Sequence, residues 1–217
     1  DISVTFNEGT PDEKKALKSI NLELEKGEFV TVIGGNGAGK STLMNVISGI
    51  LTPDVGDVWI NGQKVTYLPE YKRAAYIGRV FQDPMAGTAP SMTIEENLAI
   101  AYSRIKKRKL KLGVTKKRRE YFKELLLTLN LGLEDRLNAK VGLLSGGERQ
   151  ALSLLMATFT EPDILLLDEH TAALDPSRAE LITRLTEEVV KKYNLTTLMV
   201  THNMQQALDL GDRLFMM

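Results

Sequence analysis

The sequence predicts an α/β fold with a mainly parallel sheet core, an N-terminal antiparallel β subdomain and an inserted helical subdomain. Three observations lead to this prediction. The runs "FVTVI", "DILLLDE" and "TTLMVTH" are apolar, as in strands that a parallel sheet buries on both faces. Near the N-terminus, "ISVTF" and "SINLEL" alternate apolar and polar residues, which is typical of half-buried strands. Residues 91–140 contain no β-branched run and are predicted to be largely helical.

The other elements follow in chain order. After "FVTVI", the segment "STLMNVISG" has the apolar spacing of a helix, with Gly49 as its C-cap. "PDVGDVWINGQ" predicts a turn, a strand and a hairpin turn at Asn61-Gly62, and "YIGRVFQD" predicts a further strand. "PSRAELITRLTEEVVKKY" predicts a helix between the last two buried strands. We expect one domain over 1–217, in which 1–90 and 141–217 form the catalytic core and 91–140 the helical subdomain.

Composition excludes several classes of protein. Lys+Arg and Asp+Glu are balanced at 28 each, so the chain as a whole has no electrostatic preference for nucleic acid. It has no cysteine, which excludes a disulfide framework and a thiolate metal site. The longest apolar runs are too short to cross a bilayer, and no signal-peptide pattern opens the chain. Because the chain begins at Asp1 and stops at "RLFMM" within a predicted strand, we expect it to extend beyond both ends.

A glycine-rich segment between the first buried strand and the following helix matches the phosphate-binding pattern G-x-x-x-x-G-K-[ST]. Its residues are Gly34, Gly35, Asn36, Gly37, Ala38, Gly39, Lys40 and Ser41, with Thr42 next. A loop with so few side chains lets its backbone N–H groups surround an anion, and the helix dipole adds positive charge at the same place. Lys40 would reach the β- and γ-phosphates of a nucleotide, and Ser41 would bind Mg²⁺. A chance match in a tight turn is the alternative, and the strand-loop-helix context argues against it. The fold is therefore predicted to be that of a P-loop NTPase, RecA-like.

An acid pair ends the buried strand "ILLLDEH". Here Asp168 would lie near the Mg²⁺ ion, and Glu169 would lie beside the water that attacks the γ-phosphate. A polar strand end without chemistry is the alternative. In combination with the glycine-rich loop, the pair favours an ATPase.

A second anion-binding helix start is predicted in "LLSGGERQ", Leu143 to Gln150. Ser145, Gly146 and Gly147 precede a helical run from Arg149 to Thr158. A simple serine N-cap followed by flexible glycines is the alternative. With this motif the chain resembles the ATP-binding subunits (nucleotide-binding domains) of bacterial ABC transporters of the importer-like type, over essentially its whole length. One nucleotide does not need two phosphate-binding loops, whereas two copies that face head to tail do.

The resemblance implies further site residues. Gln82, in "VFQDP", would contact the metal or water and sense the γ-phosphate, unless it is only a polar loop residue. Asp175, in "AALDP", would lie in the loop that crosses the dimer interface, or would act only as an N-cap before Pro176. His202, in "MVTHN", would contact the γ-phosphate. The resemblance thus implies four catalytic residues, namely Glu169, His202, Lys40 and Gln82.

Two positions fit the family pattern less closely. Phe6 would stack on adenine, but "NEGTPDEKK" separates it from the next predicted strand, so packing in the core is the alternative. Many family members have a proline after the acid pair, where this chain has His170. We interpret His170 as a subfamily variant and assign it no chemistry.

The resemblance also implies cofactors, partners and a location. ATP and Mg²⁺ would be the cofactors. The partners would be transmembrane permease subunits, a second copy of the chain or a paralogous ATPase subunit, and a solute-binding protein in an importer. The chain would lie at the cytoplasmic face of the inner membrane, held there by the permease, with 91–140 as the docking surface. The sequence does not indicate the transported solute.

A basic segment raises one other function. From Arg104 to Glu120 the chain carries ten basic residues before its first acidic one. A non-transport ABC-type ATPase that acts on nucleic acid or ribosomes is the alternative that this segment favours. No aromatic residues are interleaved for base stacking, and a solvated helix face or loop explains the segment equally well. We therefore expect no nucleic-acid partner.

Overall fold

The computed structural model describes residues 1–104 and 113–217, which form two compact units. Part of the basic segment, residues 105–112, lies outside the described residues. The first unit consists of Asp1–Gly78, Asp163–Asp168 and Asn194–Met217, and the second of Arg79–Pro162 and Glu169–Tyr193. The predicted division of the domain at residues 91 and 140 stays a prediction.

The strands of the described residues are, in chain order, β1 (Ile2–Phe6), β2 (Lys14–Ile20), β3 (Phe29–Ile33), β4 (Trp59–Ile60), β5 (Gln63–Lys64), β6 (Ile77–Val80), β7 (Ile164–Asp168), β8 (Thr197–Val200) and β9 (Arg213–Met216). The α-helices are α1 (Lys40–Ser48), α2 (Glu70–Arg73), α3 (Ile94–Tyr102), α4 (Lys116–Leu127), α5 (Gly146–Thr158), α6 (Pro176–Tyr193) and α7 (Met204–Leu210). Short 3-10 helices cover Leu133–Asp135 and Val141–Leu143.

The main sheet has five strands in the order β6-β7-β8-β3-β9. β3 runs parallel to both β8 and β9, and β7 runs parallel to β8. β1 and β2 form a separate antiparallel pair, and β4 and β5 form a hairpin. The predicted α/β architecture, with a parallel core, an antiparallel β subdomain and helices in 91–140, is therefore confirmed.

The predicted position of the second strand, at "SINLEL", is wrong. The observed strand β2 ends at Ile20, and residues 21–25 belong to no strand. The physical reason is that the register of an antiparallel pair is set by tertiary pairing and not by the local alternation of apolar residues. Ile2 of β1 lies opposite Ile20 and Phe6 opposite Lys14, so the residues that pair with β1 are mostly those before the predicted segment.

The core of the first unit joins the sheet to α1. All five residues of β3 are buried, and Val32, Met44 and Leu166 are among the residues of this core. α1 ends as predicted, because Gly49 adopts φ 86° and its N–H bonds to the carbonyl oxygens of Asn45 and Val46. The side chain of Arg73 is buried and donates to the same helix end, at the carbonyls of Val46 (2.7 Å) and Ile47 (2.8 Å).

The second unit is mainly helical. Phe122, Leu126 and Leu152 are fully buried on α4 and α5. An isolated antiparallel bridge joins Thr93 to Lys140, near the two ends of the predicted helical subdomain. Of the described residues, no helix is both long enough and apolar enough to cross a membrane.

Candidate functional site

In the first unit, the parallel register brings three candidate segments to one edge of the sheet. Val200 of β8 lies level with Val32 of β3 and with Asp168 of β7. Gly34 and His202 follow two residues after Val32 and Val200. The start of the glycine-rich loop, the first acid and the candidate histidine therefore lie at the carboxyl ends of adjacent strands. Ligands bind at this edge in open α/β sheets.

The glycine-rich loop requires glycine for steric reasons. Gly37 and Gly39 have φ angles of 81° and 101°, in the left-handed region that residues with a Cβ rarely adopt. A Cβ on Gly39 would also collide with the carbonyl oxygen of Ala16. Gly39 is the N-cap of α1, and neither a capping side chain nor an acidic residue in the first turn satisfies this helix start. The positive end of α1 is therefore available to an anion.

Lys40 is the first residue of α1 and is buried, with 6% of its surface exposed. Its Nζ donates to the carbonyl oxygens of Gly34 (2.8 Å) and Gly35 (3.1 Å), in the loop that precedes its own helix. The lysine ammonium is thus held over the concave side of the loop. Ser41, the next residue, is exposed and begins the same helix turn.

Sequence analysis missed Lys14. Its Nζ lies 3.6 Å from the point that a Cβ on Gly37 would occupy, so its ammonium group reaches the rim of the loop. Lys14 is also the direct cross-strand partner of Phe6, whose side chain is 40% exposed. Directly opposed residues share one face of a sheet, so Phe6 and Lys14 point the same way. Lys14 could not be recognised from the sequence, because the predicted second strand began after it. Only the observed register of β1 and β2 places Lys14 opposite Phe6.

In the second unit, the Ser145 motif starts α5 with a capping box. Ser145 Oγ accepts the N–H of Glu148 (3.3 Å), and the Glu148 carboxylate accepts the N–H of Ser145 (2.7 Å). Arg136 donates to the other oxygen of Glu148 at 2.8 Å. Although burial opposes it, these hydrogen bonds lower the pKa of the Glu148 carboxyl. The helix begins at Gly146, so the prediction that it starts at Arg149 is wrong by about one turn. The reason is the capping box, which spans Ser145 to Glu148 and therefore includes both glycines in the first turn of the helix.

Gly147 and Asp175 are connected through Arg178. A Cβ on Gly147 would come within 3.0 Å of the Arg178 Cδ, so only glycine admits this side chain without a shift. Arg178 forms an ion pair with Asp175 (3.4 Å), and the Asp175 carboxylate accepts the N–H of Arg178 at 3.2 Å. Asp175 therefore acts as an N-cap at the start of α6, and it remains exposed. An interface role in addition to this cap stays a prediction.

Glu169 has φ 47°, an unusual backbone conformation for a residue with a side chain. Such residues occur where the surrounding structure holds them, and they are concentrated at functional sites. The carbonyl of Glu169 accepts the N–H of Ala172 at 2.9 Å, which closes a turn directly after the acid pair. Gln82 is exposed at the end of β6, and Asp168 and Glu169 are partly buried.

His170 is buried, although sequence analysis assigned it no role. Thr186 Oγ1 donates its hydrogen to the carbonyl of Ile182 (2.8 Å), so it accepts the hydrogen of His170 Nε2 at 3.1 Å. Burial lowers the pKa of His170 from 6.5 to about 4. The imidazole is therefore neutral near pH 7 and serves as a hydrogen-bond donor inside the second unit.

The described arginines of the basic segment make contacts within the second unit. Arg104 donates to the carbonyl of Met156 and to the hydroxyl of Thr160, both at 3.1 Å, near the end of α5. Arg119 forms a two-hydrogen-bond ion pair with Glu95, at 2.7 and 3.1 Å. These side chains support the fold of the unit and do not favour a nucleic-acid interface.

Comparison with known proteins agrees with this geometry. The ABC transporter family model matches residues 17–172, which include the glycine-rich loop, the Ser145 motif and the acid pair. The chain belongs to the ABC transporter family. It is 44% identical over 216 residues to a tyrosine transport ATP-binding protein of Clostridioides difficile, covering all of this chain and 86% of that protein. It is 38% identical over 204 residues to a xylose/arabinose import ATP-binding protein of Sulfolobus acidocaldarius, covering 94% of this chain and 78% of that protein.

Solved structures of the family have the same fold. An ATP-binding cassette solved as a dimer in a post-hydrolysis state with ADP and Pi has a TM-score of 0.83 and 30% identity, covering 100% of this chain and 91% of that one. The ADP conformation of another ABC transporter cassette has a TM-score of 0.81 and 30% identity, covering 100% and 84%. The predicted family, fold and ATP binding are confirmed. The chain is an ATP-binding subunit of an ABC transporter, and the activity of this family is ATP hydrolysis that drives transport.

Each site residue predicted from the sequence lies in the motif that was assigned to it, at a strand end, in a loop or at a helix start. Their contacts with nucleotide, metal and a second copy remain predictions.

Proposed function

We propose that this chain hydrolyses ATP at two composite sites, each made of the glycine-rich loop of one copy and the Ser145 motif of a second copy. The observation that carries this proposal is the pair of helix starts described above. α1 offers an uncapped N-terminus with a buried lysine, and α5 offers a serine hydroxyl followed by two glycines. The dimeric state of the post-hydrolysis cassette with ADP and Pi supports the same assembly.

In this proposal each residue of the first unit has a role that its position supports. The backbone from Gly34 to Thr42 surrounds the phosphates, and Lys40 turns its ammonium from the loop carbonyls towards the β- and γ-phosphates. His202 contacts the γ-phosphate from the end of β8. Phe6 stacks on adenine, which its 40% exposure permits.

The second unit supplies the remaining groups. Glu169 orients the attacking water or accepts its proton, and Gln82 senses the γ-phosphate. The hydroxyl of Ser145 accepts the N–H of Glu148, so its own hydrogen is available to donate to the γ-phosphate held by the second copy. Gly146 and Gly147 allow that phosphate to approach the helix backbone, and Asp175 lies at the interface.

We propose Mg²⁺ as the cofactor that accompanies ATP. It would lie between the hydroxyl of Ser41 and the carboxylate of Asp168, with Gln82 as a further oxygen ligand. These are hard oxygen donors, the kind that Mg²⁺ prefers. Among the described residues no cluster of three or more His, Asp or Glu side chains could hold a metal alone. That suits Mg²⁺, which usually takes one or two carboxylates and completes its shell with water and phosphate. Bound Mg²⁺ would neutralise charge on the transferred phosphoryl group.

We propose that the driven transport is uptake of an amino acid of the tyrosine type, through separate permease subunits and a solute-binding protein. The 44% identity to the tyrosine transport ATP-binding protein supports this solute over the sugars of the second relative. The chain would lie at the cytoplasmic face of the membrane, with the helical subdomain 91–140 against the permease. The backbone bridge between Thr93 and Lys140 supports treating this segment as an inserted subdomain.

Replacement of the proposed catalytic carboxylate tests the hydrolytic site. Glu169→Gln should abolish ATP hydrolysis, keep ATP binding and trap an ATP-dependent dimer, because the water loses its base while the phosphate contacts remain. Steady-state ATPase assays and sedimentation with ATP and Mg²⁺ measure the two effects. Glu180→Gln on the exposed face of α6 removes the same charge and should behave as wild type. Wild-type turnover of Glu169→Gln would remove Glu169 from the mechanism.

The solute is tested separately. In proteoliposomes that contain the cognate permease and solute-binding protein, tyrosine should stimulate ATP hydrolysis and should accumulate in an ATP-dependent manner. Xylose serves as the control solute. Stimulation by xylose and not by tyrosine would overturn the proposed solute without affecting the hydrolytic site.

A further inference from the structure

Gln150, in the second turn of α5, joins two segments of the second unit through its side-chain amide. The side chain is fully buried. Its Nε2 donates to the carbonyl oxygen of His170 at 2.7 Å and to the carbonyl oxygen of Phe81 at 3.1 Å. A primary amide has two N–H groups, so both are used.

Each of these carbonyls belongs to the residue next to a proposed functional side chain. His170 follows Glu169, and Phe81 precedes Gln82. One amide therefore fixes the backbone beside the hydrolytic carboxylate and the backbone beside the γ-phosphate sensor. It also ties both segments to the helix that starts with the Ser145 motif.

The backbone at Glu169 needs such support. Its φ of 47° is unfavourable for a residue with a side chain, so surrounding contacts must hold it. The ring of His170 is already fixed by its hydrogen bond to Thr186. The bond from Gln150 fixes the carbonyl of the same residue, so His170 is held at both its ring and its backbone.

The amide acts as a double donor. Its Oε1 is buried and has no hydrogen-bond partner among the described residues, whereas both N–H groups are satisfied. Rotating the amide by half a turn would place its oxygen against two carbonyl oxygens, so the contacts determine the orientation. A buried acceptor without a partner is destabilising, and an apolar side chain of similar size would avoid this cost. The benefit of the amide therefore lies in its two donors.

We propose that Gln150 is a positioning residue for ATP hydrolysis, which holds the Glu169 and Gln82 segments in one arrangement relative to α5. This inference rests on the proposed roles of Glu169 and Gln82. Gln150 itself touches neither nucleotide nor water, so its loss should change the turnover rate and leave ATP affinity as it is.

The test compares variants of nearly constant volume. Gln150→Met keeps the length of the side chain and removes both donors, and it should lower kcat by about 10- to 100-fold, since small displacements of catalytic groups cost about this much. Gln150→Glu places a carboxylate against two carbonyl oxygens and should lower kcat further. Gln150→Asn keeps the donors on a shorter side chain and should be intermediate. KM and the Kd for ATP should stay within about twofold of wild type, because no phosphate contact changes.

Thr158→Val is the matched control. Thr158 is another buried polar residue of α5, but its hydroxyl bonds only to the carbonyls of Leu154 and Leu155 in its own helix. It should keep wild-type kcat. Amide hydrogen exchange should show faster exchange at 81–84 and 168–172 in Gln150→Met than in Thr158→Val.

The possible outcomes are distinct. A wild-type kcat for Gln150→Met would overturn the inference, and so would a loss of ATP affinity as large as the loss of kcat. A decrease of kcat in Thr158→Val equal to that in Gln150→Met would also overturn it. If Gln150→Met does not fold, Gln150→Asn decides in the same way by its kcat and KM. Turnover by Glu169→Gln would instead overturn the proposed hydrolytic site, whatever the Gln150 variants do.

Discussion

The two helix starts, those of α1 and α5, differ in how the chain satisfies their backbone N–H groups. α1 begins after a glycine in the left-handed region, has no capping side chain and places a buried lysine at its first position. α5 begins with a serine capping box whose glutamate is paired with Arg136. One chain by itself leaves the start of α1 open to an anion, whereas its own side chains already bond the N–H groups of Ser145 and Glu148 at the start of α5. We infer that α1 binds nucleotide in a single copy, whereas α5 contributes only when a second copy brings a phosphate to it.

The largest expected effect tests the α5 side of this comparison. Ser145→Arg places a long side chain at the start of α5, where the phosphate of the second copy would lie. Sedimentation with ATP and Mg²⁺ should show no dimer, hydrolysis should be lost, and calorimetry should show ATP affinity of the single chain within about twofold of wild type. Ser103→Arg, at the exposed end of α3, is the control and should still dimerise. Dimerisation of Ser145→Arg at wild-type strength would refute the head-to-tail arrangement.

The next effect tests the α1 side. Lys40→Ala removes a buried cation from the phosphate site, and loss of one partner from a buried charged group costs about 3 to 5 kcal/mol. Calorimetry should therefore show ATP affinity weakened by at least about 100-fold, with hydrolysis lost in parallel. Lys18→Ala, at an exposed position of β2, should bind ATP normally. Unchanged affinity in Lys40→Ala would mean that the open start of α1 is not the phosphate site.

The next effect concerns His170, whose backbone carbonyl accepts a hydrogen bond from Gln150 of α5 and whose buried ring donates to Thr186 of α6. The pKa of His170 is lowered to about 4 in the folded protein from an ordinary 6.5. Above pH 6.5 the neutral His170 ring makes its full contribution to the free energy of unfolding. This contribution is lost as pH falls towards 4, because only the unfolded chain takes up the proton in this interval. The loss should reach about 3 kcal/mol, at about 1.4 kcal/mol per pKa unit.

Urea unfolding between pH 7 and 4 measures this effect. His170→Gln keeps a donor for Thr186 and does not titrate, so its free energy of unfolding should fall less over the same interval. His202→Gln replaces the other histidine of the chain and should keep the wild-type decrease. Identical pH dependence in wild type and His170→Gln would contradict the assignment.

The smallest effect concerns the rim of the α1 loop. Lys14→Met removes the ammonium group near Gly37, and an exposed charge of this kind contributes about 0.2 to 1 kcal/mol. ATP affinity should therefore weaken by about 1.5- to 5-fold, and the effect should diminish at high salt. Lys15→Met is the matched control, because neighbouring residues of a strand point to opposite faces. A similar loss of ATP affinity in both variants would mean that the affinity depends only on the net charge of β2 and not on the position of Lys14.

The sequence by itself determined the family and much of the fold. Three local motifs predict the chemistry, because backbone N–H groups and carboxylates must be presented at fixed spacing. They are the glycines followed by lysine and serine, the acid pair after "ILLL" and the serine before two glycines. Long, strongly patterned elements were predicted equally well. The helix over "PSRAELITRLTEEVVKKY" is observed at Pro176–Tyr193, and "FVTVI" is a fully buried strand.

Only the tertiary structure decided what depends on pairing between distant segments. The register of β1 and β2 moved the second strand to Lys14–Ile20 and so placed Lys14 near Gly37, about 23 positions along the chain. The amide of Gln150 meets carbonyls of Phe81 and His170, and neither separation follows a helical or strand period. His170, in the turn after β7, is a buried donor because Thr186 of α6 accepts from its ring. Local patterns encode which surface of an element is apolar, whereas a hydrogen bond between elements exists only once packing has fixed their positions.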